Sequence, residues 1–145
     1  MLAAAAVFIA TLGYAVILRI PRRALWGAGL TGMLAWGASQ GLGGASPLAA
    51  FAGALAAGIA GETLARVCKL PATVYSAPGV IVLVPGLSAY QAALAFARQD
   101  LATGASLALH VLAVGGSISG GLAVVVVAAR YWAVWKKRRR TEATH

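Results

Sequence analysis

Long apolar runs separated by short basic clusters leave this chain few ways to fold. The runs cover Leu2–Leu18, Ala24–Ala45, Pro47–Ala65, Ala72–Leu94 and Leu101–Ala129. A helix that crosses the hydrocarbon of a bilayer needs about 20 mostly apolar residues, and each run is near that length. Charged residues make up only 10% of the chain, against about 25% in a soluble domain. The runs therefore predict an all-α integral membrane protein of about five transmembrane helices. They form a single transmembrane domain over residues 1–145, ending in a basic cytoplasmic tail over 130–145.

The basic clusters predict the orientation. Lys and Arg accumulate in short loops on the cytoplasmic side. With Arg19, Arg22 and Arg23 inside and the helices alternating, Arg66, Lys69, Arg130 and the Lys136–Arg140 run also fall inside. That accounts for eleven of the 12 basic residues, and only Arg98, beside Asp100, lies outside. A four-span count would strand one cluster on the wrong side. The N-terminus is expected outside and the C-terminus in the cytoplasm. A signal peptide would carry its positive charge ahead of the apolar stretch, whereas here the arginines follow it. Trp26, Tyr131, Trp132 and Trp135 adjoin basic clusters, as interfacial aromatics do.

The net charge of +9 does not imply a nucleic-acid partner, because the charge is dispersed between membrane spans. The Lys136–Arg140 run suits orientation and contact with anionic lipid. A single cysteine, Cys68, makes no disulfide framework. With three acidic residues and two histidines, no metal site or acid–base set is expected, and no cofactor. Gly41–Gly44 has no preceding strand and is no dinucleotide fingerprint. The chain is not expected to be an enzyme.

Small residues recur at helical spacing. Ala49, Gly53, Ala57 and Gly61 line one face of the third span, Gly37 and Gly41 the second, and Gly116 and Gly120 the fifth. Such faces let helix backbones approach closely in lipid. They fit packing within the chain or self-association with a second subunit.

The fourth span carries the chemistry. Pro71, Pro78 and Pro85 lie seven residues apart, which keeps them near one helix face. Proline removes an N–H and clashes with the carbonyl four residues back. Pro78 should then free the carbonyl of Val74, and Pro85 that of Ile81, with Gly79 and Gly86 loosening the backbone beside them. Unpaired carbonyls at membrane depth must face protein or water, and broken helices of this kind hold solutes in transporters. Pro78, Gly79, Pro85, Gly86, Ser88, Tyr90 and Gln91 are the expected substrate path. Tyr75 and Ser76 add hydroxyls nearby. Glu62, the one carboxylate inside an expected span, suits ion coupling or a structural pair with Arg66 four residues on. His110 suits packing or a proton relay. Gln40 is expected at the outer end of the second span.

Three stretches resemble the threonine/serine exporter family: I-P-R-R-A-L at Ile20–Leu25, the Gly-rich third span ending in Glu62 and Arg66, and P-G-V-I-V-L-V-P-G-L-S-A-Y at Pro78–Tyr90. The likeness is to the small-subunit form, which corresponds to the C-terminal half of the long members. It departs at Val82, where the family pattern often carries a further proline. The resemblance implies a secondary exporter of small polar metabolites in the bacterial inner membrane, with threonine or serine as substrate. Some split members are associated with dicarboxylates. It also implies a larger homologous membrane subunit as partner, and the motif carries over onto Pro78, Gly79, Pro85, Gly86, Ser88 and Tyr90. A non-transporting scaffold subunit is the rival reading.

The basic asymmetry is testable by fusion. A reporter after Arg140 is expected in the cytoplasm, and one before Leu2 in the periplasm. Both ends on one side would end the five-span topology.

Overall fold

The computed structural model describes residues 2–44 and 46–142, without the side chains of 133–134 and 136–142. Six helices follow in order: α1 (Leu2–Ile17), α2 (Leu25–Gln40), α3 (Pro47–Cys68), α4 (Thr73–Ile81), α5 (Gly86–Ala97) and α6 (Leu101–Glu142). A short 3-10 turn at Arg22–Ala24 precedes α2. The described residues contain no strand. The protein is thus the expected all-α type.

The helix ends have local causes. α2 stops at Gln40, short of the expected Ala45, because Gly43 and Gly44 adopt left-handed φ values of 89° and 68°, open to glycine at little cost. Ser46 then caps α3: its Oγ accepts from the Ala49 N–H at 3.1 Å, with Pro47 in the first turn. Such a cap satisfies an amide that the helix leaves open. α3 runs on past Ala65 to Cys68 and ends at Lys69, itself left-handed. At the start of α6 the Asp100 carboxylate accepts from the Thr103 N–H at 3.1 Å. Hydrogen bonds from Thr103 hold this carboxyl below the usual range.

α6 exceeds its expected end at Ala129 by more than three turns. Apolarity falls off there, but no Gly or Pro interrupts Arg130–Glu142, so nothing stops the helix. The expected lipid contact of Lys136–Arg140 rests on side chains outside the described residues.

α3 is the centre of the bundle, packed on α2, α4 and α6, while α5 rests chiefly on α6. The shared core is Ala50, Ala54, Val114 and Ile118, with Val80, Leu83 and Leu122 against it. The expected small face of α3 is wholly inside this chain: Ala49, Gly53, Ala57 and Gly61 are all buried. A methyl group on Gly53 would lie 2.8 Å from the Ala35 carbonyl oxygen of α2, and one on Gly61 3.1 Å from Cβ of Ser76. Of the two readings of that face, internal packing is the one its burial supports. By contrast, Gly37 and Gly116 face open space.

The outside of the bundle is apolar. Leu48, Leu109 and Leu112 are about two-thirds exposed (66%, 67% and 70%). The buried hydroxyls of Thr11 and Thr31 donate to their own helices, to the carbonyls of Val7 and Gly27, both at 2.8 Å. Leucine outside and alanine inside is the arrangement a lipid solvent permits. By length and composition, α3 and Leu101–Trp132 of α6 can each cross a membrane, and α4 with α5 makes a third crossing if the bent pair is one span. α1 and α2, with 16 residues each, are about 24 Å long.

Gly53→Ala should cost about 1–3 kcal/mol, because backbone rather than a flexible side chain blocks the added methyl. The check is a lowered melting temperature in detergent, with Gly116→Ala unchanged as control. Equal melting of the two would show that the α2–α3 approach is slack.

Candidate functional site

The fourth apolar run breaks once, between α4 and α5. The last turn of α4 tightens: Leu83 N–H bonds to the Val80 carbonyl at 2.9 Å and Val84 N–H to the Ile81 carbonyl at 3.2 Å. The Ile81 carbonyl, expected to be freed by Pro85, is therefore taken by Val84. Pro85 sits at φ −78°, ψ 58°, and the Gly86 N–H closes on the Val84 carbonyl at 2.8 Å. That is an inverse γ-turn centred on proline. It turns the chain so that α4 and α5 meet with a 50° bend.

No break occurs at Pro78. It lies inside α4, and both Pro78 and Gly79 are buried. The expectation of two breaks is corrected to one. The cause is packing. A Cβ on Gly79 would lie 2.6 Å from Thr31 Cγ2, so α4 lies almost backbone-to-side-chain against α2. That contact holds the helical path through a residue that lacks an N–H.

The break opens on a cavity of about 470 Å³, within the range of small-molecule sites. Val82, Leu83, Pro85 and Ser88 form one wall. The end of α2 supplies Trp36, Ser39 and Gln40, and the following turn Gly43, Gly44 and Ser46. Ala50 of α3 and His110 and Val114 of α6 complete it. Ser39, 3% exposed, donates to the Trp36 carbonyl at 2.8 Å. Of the three serine hydroxyls in this lining, Ser39 and Ser46 already donate to the nearby carbonyls of Trp36 and Leu42, which leaves Ser88 to converge with the Gln40 amide and the His110 imidazole beside an aromatic ring. Such a set can hold a small polar solute by hydrogen bonds. Among the described residues no cluster of His, Cys, Asp or Glu could hold a metal ion.

Of the expected path residues, Pro85 and Ser88 line this cavity. Gly79 sits in the α4–α2 contact, and Pro78 beside it is buried. Gly86, Tyr90 and Gln91 are exposed, and Gln91 borders a separate hollow of about 350 Å³ with Arg98, Asp100 and Thr103. Glu62 lies 3.7 Å from Arg66, with the two side chains 27% and 53% exposed. Such a half-exposed pair contributes at most about 1 kcal/mol. Trp36, Ser39 and Ser46 were not singled out by sequence; their only signal is their position beside the Gly-rich turn. A larger hollow of about 670 Å³ between α2 and α3 is lined by Leu30, Met33 and Ile59, among others. Its one hydroxyl, on Thr63, already bonds to the Ile59 and Ala60 carbonyls, so it offers little to a polar solute.

The two Pro-Gly pairs should respond oppositely to helix-favouring substitution. Gly79→Leu should lower the melting temperature, since the new side chain meets Thr31. Pro85→Ala with Gly86→Leu should leave it equal or higher, because Gly86 has nothing within 4 Å and good helix formers replace poor ones. A collapse of the second variant in the same thermal melt would make the γ-turn a structural requirement.

Comparison with curated proteins and with solved structures returns no match. A family profile does match: that of the Threonine/Serine exporter, ThrE, over residues 3–128. The match takes in α1 from Ala3, all of α2 to α5, and α6 as far as Ala128, so the break and every wall of the cavity fall within it. This is a family of transporters and not a class of enzymes. A helical bundle with lipid-compatible sides and a polar cavity at its broken span is consistent with that, and the chain belongs to the threonine/serine exporter family.

Proposed function

We propose that this chain is one half of an exporter that moves threonine or serine out across the bacterial inner membrane, working with a larger homologous subunit. The observation that carries the reading is the polar cavity at the only interrupted span among the described residues. Membrane-depth backbone departs from helix only where protein or a water-filled space satisfies it, and here the departure opens onto three serines, Gln40 and His110.

In this reading the chain crosses five times, with its N-terminus outside. The α2–α3 turn is then periplasmic and the cavity opens toward the periplasmic side. Its volume of about 470 Å³ suits a small amino acid with some water. Glu62 is the candidate for ion coupling. It lies 16 residues along α3 from Ser46, about 24 Å of helix, so coupling there acts at a distance from the solute. The basic tail contacts anionic lipid on the cytoplasmic side.

The test is efflux from cells loaded with a threonine-containing dipeptide. Cells with this chain and the larger subunit are expected to release threonine several-fold faster than cells with neither. Pro85→Ala with Gly86→Leu, at equal protein level, should lose most of that rate. Equal efflux with and without the chain would overturn the export reading. A wild-type rate from the double variant would reduce the break to a structural kink.

A further inference from the structure

Tyr75 is the largest fully buried side chain among the described residues, 1% exposed; the next are Thr11, Thr31 and Pro78. Its ring fills a notch at Gly27 of α2. A methyl group there would lie 2.6 Å from Tyr75 Cε1 and 3.3 Å from Cδ1 of Leu64 on α3. Three helices thus meet around one aromatic ring. Its hydroxyl is buried and makes no hydrogen bond. The Cys68 thiol at the end of α3 comes near it, without the geometry of a hydrogen bond. The buried hydroxyls of Thr11 and Thr31, by contrast, are both paired. Burying a hydroxyl without a partner is costly, and buried polar groups are nearly always paired. In this conformation the tyrosine bears a cost that phenylalanine would not.

Its place in the fold supplies a reason. Tyr75 lies in the first turn of α4, beside the ends of α2 and α3 that carry Arg23, Arg66 and Lys69. The main cavity lies past the other end of α4, against Val82 and Leu83, and no residue of Thr73–Ile81 lines it. Seven residues separate Tyr75 from Val82, about 10 Å of helix. Over that length α4 meets its neighbours through small groups: Gly79 against Thr31 of α2, and Ser76 against Gly61 of α3. In the export reading the cavity opens on the periplasmic side, and Tyr75 closes the bundle on the cytoplasmic side. α4 itself hangs between two non-helical joints. One is residues 69–72, opening on the left-handed Lys69; the other is the γ-turn at Pro85. A few such residues can take up the dihedral change of a hinged element.

We propose that Tyr75 is the cytoplasmic gate of the solute path, closed here by its ring in the Gly27 notch and biased toward opening by its unpaired hydroxyl. This rests on the export reading and adds to it the residue that parts the cavity from the cytoplasm. When α4 moves off α2, the hydroxyl meets water or the incoming solute, and either is a hydrogen-bond partner. The closed state bears the unpaired group and the open state does not. The ring supplies closure and the hydroxyl limits how firm the closure is. Two changes to one side chain separate these effects. Tyr75→Phe keeps the ring and removes the unpaired group, so it favours the closed state. Tyr75→Ala removes the ring and leaves the closed state unsealed. A tyrosine that served packing alone would let phenylalanine replace it with transport unchanged.

The test reaches for the cavity from the cytoplasmic side. The reporter is Ser88→Cys, on the cavity wall, in a Cys68→Ala background that removes the only native thiol. Alanine is used there because a serine would offer the Tyr75 hydroxyl a partner. Membranes from the cells of the efflux test are prepared as inside-out vesicles. Reaction with a membrane-impermeant maleimide is followed as a mass shift of this chain. With Tyr75 in place, labelling from this side is expected to be slower than in right-side-out vesicles. Tyr75→Phe should slow it further, by about fivefold or more, with an equal or higher melting temperature in detergent. Tyr75→Ala should speed it by at least about the same factor. Threonine efflux should fall in Tyr75→Phe together with the labelling rate.

Equal cytoplasmic labelling with tyrosine and with phenylalanine overturns the proposal. So does a lowered melting temperature of Tyr75→Phe, which would mean that the hydroxyl is bonded within the bundle. A Tyr75→Ala chain that folds and labels no faster overturns it as well. Phenylalanine keeps the ring, so its comparison decides even where the alanine variant fails to fold. The labelling needs no solute, and the export reading is judged separately by cellular efflux of the unaltered chain. A chain that exports while its labelling ignores the side chain at Tyr75 loses only the gate. One that shows the expected order of labelling and no efflux loses only the export reading.

Discussion

Close approach of helix backbones on α3 holds the bundle together. In lipid there is no water to drive apolar side chains inward, so cohesion comes from packing and from interhelical contact. The closest approaches to backbone atoms of a neighbouring helix lie on α3. A methyl on Gly53 would lie 2.8 Å from the Ala35 carbonyl of α2, and one on Gly121 of α6 would lie 2.9 Å from the Phe51 carbonyl of α3. α3 is thus squeezed between α2 and α6 at backbone distance. The residues buried between them are mostly alanine, glycine and threonine, while the large side chains point outward. The cavity depends on this arrangement, because three of its walls are the ends or flanks of the three helices so clamped.

The clamp also sets the level of the break. Leu83 lies just beyond α4, and its methyl groups stand 2.9 Å from a Cβ built on Gly53. The point where the fourth run leaves its helix is therefore pinned against the narrowest part of α3. Ala50, one turn nearer the Ser46 cap, shares the core with Val114 and the cavity with His110. α6 has nine residues ahead of His110, about 14 Å of helix, and these pair with α5. The whole of α6, at 42 residues, is about 63 Å long, twice the hydrocarbon thickness of about 30 Å. The short helices α1 and α2 and the long α6 thus make a bundle of unequal lengths, with the polar cavity where α2 ends.

Much of this was legible from residue type and spacing. The apolar runs located every helix, because membrane helices announce themselves by length and apolarity. The Ser46-Pro47 start of α3 was visible as an apolar run beginning at Pro47, and the Gly-rich turn as a loop. The far end of α6 was not, since its expected end followed the loss of apolarity at Ala129 whereas helices stop at Gly, Pro or a cap. The cavity was half legible. Pro85 and Ser88 stood out by their chemistry on the broken span. Gln40 stands out only as a helix end and His110 as a packing residue or proton relay, and only the fold brings them together across α2 and α6. Trp36, Ser39 and Ser46 could not have been chosen, because nothing distinguishes a serine facing a cavity from one bonded to its own helix.

The two Pro-Gly pairs show where local sequence stops deciding. Pro78-Gly79 and Pro85-Gly86 are the same dipeptide, seven residues apart in one apolar run, and each proline removes the same amide. Yet one pair continues a helix and the other ends it. The neighbours differ. Gly79 is pressed on Thr31 of α2, whereas Gly86 has no atom within 4 Å of the space a side chain would take. At Pro78, leaving the helical path would forfeit that contact and that of Tyr75, whose ring lies 2.6 Å from a Cβ on Gly27. At Pro85 no such contact opposes the bend; the Ile81 carbonyl that the proline strands is taken by the Val84 N–H, and the Gly86 N–H closes a still tighter turn on the Val84 carbonyl. A proline breaks a membrane helix when the packing lost is small and the backbone can pair with itself. The cavity lies where both conditions are met, beside the second pair and not the first.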